Sequence, residues 1–187
     1  RGKSLYTVFC NESGGAIDDL LVFVESDTSA FLIANSSNRE KVVDHLQQQA
    51  KGVKVKIEPC FTFEGILALQ GRDSFEMIRH WAPEIAKHHF SNARFKGMPL
   101  ILSRTGYTGE DGFELFGSRE VIGALFHELT CEKGVSPCGL GARDLLRLEM
   151  GYALFGHELS ASINPIESVA SWCVKLSNRP FLGKQAT

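Results

Sequence analysis

The stretch Ser103–Leu115, SRTGYTGEDGFEL, constrains the fold of this chain more than any other. Apolar runs flank it, MPLIL at Met98–Leu102 and FELF at Phe113–Phe116, and Gly106, Gly109 and Gly112 recur inside it at every third position. Glycine enters positive φ without steric cost and Asp tolerates that region, so Gly-Glu-Asp-Gly between apolar runs predicts a connection joining two antiparallel strands. A plain connection does not require the polar groups crowded here: Arg104, Thr105, Tyr107, Thr108, Glu110 and Glu114. Glu114 lies within the returning strand between Phe113 and Leu115, so its carboxylate faces either solvent or a pocket.

The 187 residues accommodate one large or two small domains. A net charge of −2 offers no basic footprint for nucleic acid. No apolar run approaches the ~18 residues of a transmembrane helix, and no signal-peptide pattern is present. The five cysteines, Cys10, Cys60, Cys131, Cys138 and Cys173, lack CxxC spacing and form no even set, so they read as reduced thiols rather than as a zinc site or a disulfide framework. His88 and His89 are adjacent and would diverge on a helix, so no metal site is expected.

Along the chain, Leu5–Phe9, Ala16–Glu25 and Phe31–Asn35 read as strands joined by the turns NESGG and SDTSA. Asn35–Gly52 reads as a helix capped by Ser36 or Ser37, with Val42, Val43, Leu46 and Ala50 as its apolar stripe and Gly52 as its stop. Val53–Pro59 alternates and predicts a strand with one wet face; Phe63–Gly71 predicts a strand buried on both faces. A helix follows from an Asp73 cap through Phe75, Ile78 and Trp81, with Pro83 starting a new turn, and then the strand Pro99–Arg104. Between Phe31 and Arg104 this order is βαββαβ, the ferredoxin-like arrangement with an antiparallel sheet and helices on one side. Helices over Ser118–Gly134 and Gly141–Gly151 and a strand over Ser168–Leu176 complete the reading. The class is α+β.

SRTGYTGEDGFEL resembles the folate-binding hairpin of the aminomethyltransferase (T-protein) family of the glycine cleavage system. NESGGAIDDLLVF at Asn11–Phe23 resembles that family's Asp-bearing strand. CGLGARDLLRLEMGYALFGHEL at Cys138–Leu159 resembles its Arg-bearing helix and following turn, and NPIESVASWCVKL and FLGKQA resemble the start of its next segment. The similarity covers nearly the whole chain, in order. It implies a folate-binding fold of interleaved α+β pieces around a central hole, closed by a C-terminal barrel. Family members carry sequence on both sides of the matched region, and this chain opens without Met. An N-terminal segment and the barrel are therefore expected to be absent. The expected division is 1–30 for the first strands, 31–104 for the ferredoxin-like part, and 105–187 for the hairpin, helices and following strand of one interleaved unit.

The resemblance also implies the chemistry. Tetrahydrofolate is the cofactor, and the lipoylated H-protein is the partner that carries the aminomethyl group. The setting is cytoplasmic, or the mitochondrial matrix in a eukaryote, with no nucleic acid and no membrane involved. Asp18 and Asp19 interrupt an apolar strand. From the residues alone they either cap a turn or set one carboxylate inward, where it needs a partner or a raised pKa. The family match makes Asp19 the catalytic carboxylate and leaves Asp18 to the turn or to solvent. Glu114 matches the carboxylate that receives the pterin's paired donors. Arg143 matches a folate-site arginine, or else pairs with Asp144 or Glu149 at its helix start. Tyr107 matches a hairpin aromatic in contact with folate, and Tyr6 a tyrosine of the same site. Phe23 stands where some relatives have Tyr. Trp172 and Phe90 are candidate ring walls, although core packing is the commoner fate of such residues. Arg147, Asp144 and Glu149 read as an internal ion-pair set. Two other readings share these folate-side motifs: a folate-dependent demethylase of a small N- or S-methyl substrate, and a non-catalytic folate-binding maintenance protein. The latter relatives carry a Lys-Gly-Cys-Tyr-x-Gly-Gln-Glu element that Met150–Glu158 does not reproduce.

Overall fold

The computed structural model describes residues 1–60, 64–177 and 179–186. It is α+β with two antiparallel sheets. The first sheet has the order β1-β2-β3, from β1 (Lys3–Cys10), β2 (Ala16–Val24) and β3 (Ala30–Ile33). The second has the order β4-β7-β6-β5, from β4 (Gly65–Gln70), β5 (Phe90–Phe95), β6 (Met98–Ser103) and β7 (Gly112–Gly117). The helices are α1 (Arg39–Gln49), α2 (Ser74–Ile78), α3 (Arg119–His127) and α4 (Leu140–Glu149). Two compact units interleave along the chain. One comprises Arg1–Ser4, Val24–Thr28 and Cys60–Met150; the other comprises Leu5–Phe23, Ser29–Pro59 and Gly151–Thr187.

In the first unit, the expected hairpin forms. β6 and β7 pair with Leu100 opposite Gly117 and Ser103 opposite Glu114, and β4 adds on the far side of β7 with Ala68 opposite Glu114. Alternation then divides the residues of β7. Phe113 and Leu115 turn to one face and are fully buried with Leu100, Leu102, Ile78, Val121 and Leu125. Glu114 takes the opposite face. Each fully buried Phe or Leu contributes on the order of 1.5–3 kcal/mol, so this core holds the strand register and fixes where Glu114 points. α3 begins at Ser118, whose hydroxyl accepts from the Val121 N–H, as its place before an apolar-periodic run predicts.

Several expectations are corrected. Residues 53–59 form no strand: Val53 and Val55 are more than half exposed, and a period-two pattern becomes a strand only where a neighbour accepts its hydrogen bonds. β4 is an edge strand with one wet face, Ile66 being 54% exposed, and is not buried on both faces. Phe63, the first residue of that expected strand, lies outside the described residues. The helix expected from Asp73 to Trp81 stops at Ile78, because the Pro83 ring meets the carbonyl four residues back and disfavours the helical region at Ala82. Asp73 makes no side-chain cap bond. β5 was not expected. Its signal was the Lys96-Gly97 pair between FSNARF and MPLIL, with φ of 48° and 82°, the two-residue turn that joins twisted strands.

Between residues 31 and 104 the elements run β3, α1, β4, α2, β5, β6 in place of the expected βαββαβ order, and they are distributed over both sheets. β3 lies beside β2, whereas β4, β5 and β6 belong to the second sheet. Residues 168–176 are not a strand. Asn164 accepts from the Ile166 N–H (3.0 Å), Pro165 sets the first helical φ, and Ser168 Oγ accepts from the Ala170 N–H (3.0 Å). These local bonds favour short helical turns, one at Pro165–Glu167 and one at Ser171–Cys173, over extension. Ser36 and Ser37 do not cap α1; they sit in the preceding turn Ser36–Asn38, and of the expected stripe only Val42 is fully buried.

Candidate functional site

Two clusters of polar and aromatic groups form, one in each unit. In the first unit the hairpin loop is closed at its base by Arg104. Its guanidinium donates to both oxygens of Asp111 (3.0 and 2.6 Å) and to the Ile85 carbonyl (3.0 Å). The pairing pushes the arginine pKa up and the Asp111 pKa down. Arg104, counted among the groups able to meet a ligand, is thus committed inside the protein. At the tip Gly109 has φ +79°, the region that favours glycine, and a Cβ there would come within 2.5 Å of Met150 Sδ at the end of α4, so a side chain at this place would be strained and would push the methionine aside. α4 also brings the Arg143 guanidinium 4.5 Å from the centroid of the half-buried Tyr107 ring, a cation–aromatic contact on the order of 0.5–2 kcal/mol. Arg143 therefore faces the hairpin and not Glu149. Arg147, 2% exposed, pairs with Asp144 at 2.7 Å and holds α4 together internally.

Glu114 stands on this face. The Thr105 hydroxyl donates to its Oε2 at 2.5 Å and takes its own hydrogen bond with Ser103 Oγ at 2.9 Å. Among the described residues, no hydrogen bond reaches Glu114 Oε1. Burial pushes the Glu114 pKa up; the Thr105 hydrogen bond and the Arg143 charge pull the other way. A carboxylate that is partly desolvated, held at one oxygen and open at the other suits a ligand with adjacent N–H donors.

In the second unit, Asp18 and Asp19 alternate across β2 as strand geometry requires, but Asp18 does not serve solvent. It is fully buried. It accepts from the Asn35 N–H (3.0 Å), the Asn35 amide (2.9 Å) and the Asn38 amide (2.7 Å), and so ties the turn before α1 to the sheet. Asp19 is half-buried. Tyr6 Oη donates to its Oδ2 at 3.0 Å and Asn35 Nδ2 to its Oδ1 at 3.1 Å. Burial is the main cause of a raised Asp19 pKa, and the adjacent Asp18 charge adds to it; the Tyr6 and Asn35 bonds oppose it. The Trp172 ring stacks on Tyr6 with centroids 5.4 Å apart and planes at 24°, while remaining 60% exposed. Asp19, Tyr6 and Trp172 are thus brought together, as are Glu114, Tyr107 and Arg143. Phe23 is fully buried and stacks on Phe31, and Phe90 opens β5.

Asn35, Thr105 and Gln70 act in these clusters in roles the sequence does not announce. Asn35 and Gln70 work on residues far along the chain, and Thr105 meets Glu114 only once the hairpin has closed. Among the described residues, no group of three or more His, Cys, Asp or Glu side chains is arranged to hold a metal ion, and no helix is long and apolar enough to cross a membrane.

The fold is thus an α+β chain that carries two half-buried carboxylates, each bonded to a hydroxyl, on its antiparallel sheets. The particular family follows from comparison: residues 1–178 match the model described as the GCVT N-terminal domain, and the chain belongs to that family. It is 40% identical over 194 residues to an aminomethyltransferase of Chlorobaculum parvum, with 99% of this chain and 53% of that protein covered. It is also 40% identical over 189 residues to an aminomethyltransferase of Thermus thermophilus, with 99% and 54% covered. The crystal structure of glycine cleavage system aminomethyltransferase T from Bartonella henselae superposes with a TM-score of 0.88 at 29% identity, covering 99% of this chain and 52% of that one. The chain spans about half the length of the relatives it matches.

Proposed function

We propose that this chain forms the folate-binding part of a glycine cleavage aminomethyltransferase. In this reaction the methylene of an aminomethyl group on the dihydrolipoyl arm of the H-protein passes to tetrahydrofolate. Ammonia and the reduced lipoyl thiol are released. The observation that carries the reading is Glu114, with one carboxylate oxygen held by Thr105 at 2.5 Å beside the Arg143–Tyr107 pair. A pterin ring presents adjacent N–H donors, and this donor–acceptor chemistry fits the open side of that carboxylate. The names carried by the relatives support the same reaction.

Tetrahydrofolate, when bound, supplies the nitrogen nucleophile that accepts the one-carbon unit. The protein's task is then to position and to stabilise charge. Glu114 receives the pterin donors. Tyr107 and Arg143 present an aromatic face and a cation on the same cluster. Asp19 is the catalytic carboxylate: held by Tyr6 and Asn35, it offers negative charge where cationic character develops as ammonia leaves. Tyr6 orients Asp19, and Trp172, stacked on Tyr6, supplies an exposed ring for the ligand's flat surface. Bacterial relatives support a cytoplasmic setting.

Glu114→Ala tests the assignment. It is expected to weaken tetrahydrofolate binding by about 1–3 kcal/mol, the cost of leaving a desolvated donor unsatisfied. Isothermal titration of the full natural polypeptide reads this, and unchanged affinity with an unchanged melting curve would remove the pterin assignment.

A further inference from the structure

The hairpin loop encloses a side chain from another strand. Gln70 ends β4 opposite Gly112. Its Nε2 donates to the Thr105 carbonyl (3.2 Å) and to the Phe113 carbonyl (3.1 Å), and its Oε1 accepts from the Thr108 hydroxyl (3.4 Å). One carboxamide thereby joins both arms of the hairpin and its tip. The space it occupies is kept by two of the three glycines. A Cβ on Gly106 would lie 1.9 Å from Gln70 Oε1, and one on Gly112 would lie 2.6 Å from Gln70 Cδ. Neither of these glycines has positive φ; a side chain at Gly106 would displace the Gln70 carboxamide, and one at Gly112 would also meet the Leu69 carbonyl, 2.6 Å from its Cβ.

The two carbonyls that Gln70 holds belong to the two residues that adjoin Glu114, one through a hydrogen bond and one along the chain. Thr105 is the residue whose hydroxyl donates to Glu114, and Phe113 is the residue before Glu114. The loop itself has an independent closure in the Arg104–Asp111 pair. Loss of the Gln70 amide therefore leaves a formed hairpin in which Thr105 and the backbone entering Glu114 are no longer fixed. We propose that Gln70 is a positioning residue for the Glu114 site. It acts through the Thr105 carbonyl and the Phe113 carbonyl to aim the Glu114 carboxylate at a ligand with adjacent N–H donors. This rests on the folate reading of Glu114.

The test uses Gln70→Met, similar in length and volume but without the amide, in the full natural polypeptide. The tetrahydrofolate Kd is expected to rise about tenfold. The kcat at saturating folate should stay within about threefold, and the melting temperature should move by only a few degrees. Thr105→Val is expected to act in the same direction. The double variant should fall short of the product of the two effects, because both act through one carboxylate. If Glu114→Ala weakens binding while Gln70→Met leaves the Kd unchanged, Gln70 has no positioning role and the folate reading stands. The positioning role is likewise overturned if the Gln70→Met and Thr105→Val effects multiply in full. If Glu114→Ala leaves the Kd unchanged, the folate reading fails and takes this proposal with it. Should Gln70→Met not fold, Gly106→Ala, whose methyl group displaces the carboxamide, carries the same expectation, and an unchanged Kd overturns the proposal.

Discussion

Exchanging Asp18 and Asp19 in turn separates a carboxylate that holds the fold from the one to which we assign the chemistry. Asp18→Asn keeps the size of the side chain but turns one of its acceptor oxygens into an NH2 group. That group then faces the Asn35 N–H or the Asn35 and Asn38 amides, which now donate to Asp18 at 2.7–3.0 Å in a fully buried setting. A charge-assisted bond is worth about 1.5–3 kcal/mol, and a stranded buried donor costs about 1–3 kcal/mol. With partial relaxation of the turn before α1, the expected destabilisation is about 2–4 kcal/mol. At about 2–4 °C per kcal/mol for a chain of this size, the melting temperature should fall by roughly 5–15 °C. Asp19→Asn has a different outcome. It removes a carboxylate whose raised pKa reports that its charge is held at a cost, so the fold should melt no earlier at pH 7, whereas kcat should fall by about 10²–10³ as one positioned charge is lost. Thermal melts and steady-state kinetics on the full natural polypeptide, with rates scaled to the folded fraction, read both effects. If Asp18→Asn melts like the wild type, the three donors are not carried by that carboxylate. If Asp18→Asn alone removes turnover while Asp19→Asn is silent, the assignment of the two faces of β2 is reversed.

Further expectations concern the braces and the buried charges. Arg104→Met should lower stability by about 1 kcal/mol, a value held down by solvent screening of a pair that is about one-third exposed, and should weaken folate binding as the loop base opens. A wild-type melting temperature together with unchanged affinity would show that the Arg104–Asp111 pair is dispensable. The pH dependence of Glu114 follows from a folded pKa above 4.5, raised by burial: its favourable contribution is present below the unfolded value and is lost as pH rises through the folded one. Glu114→Gln should therefore gain melting temperature relative to wild type at pH 7 and show less gain at pH 4; an equal difference at both values contradicts the assignment. Asp111, whose pKa is lowered by Arg104, carries the opposite sign: its stabilisation is present above its unfolded pKa of 3.8 and is lost as pH falls through the folded value. Arg104→Met should thus cost less at pH 2 than at pH 7, as acid melts of the two proteins would show.

What the sequence determined by itself was local and periodic. The Gly-rich hairpin between Met98–Leu102 and Phe113–Phe116, the first two strands and the helices ending the first unit were all legible, because strand alternation and helical apolar spacing are written within ten residues. The two faces of Asp18 and Asp19 were legible for the same reason. The fate of Asp18 was not, since its donors come from Asn35 and Asn38, seventeen and twenty residues onward, and only the folded chain brings them to it. Residues 53–59 had the alternation of a strand and found no neighbour to accept it, whereas β5, with a weaker pattern, found β6 across a two-residue turn. The tertiary structure also decided what the hairpin glycines do. Gly109 serves the turn, while Gly106 and Gly112 make room for Gln70, a side chain more than thirty residues away whose hydrogen bonds no local pattern could announce. Chemistry that depends on contacts between neighbours in sequence could be read from the chain; burial, and the pairing of polar groups that burial enforces, exist only once distant segments share the same space.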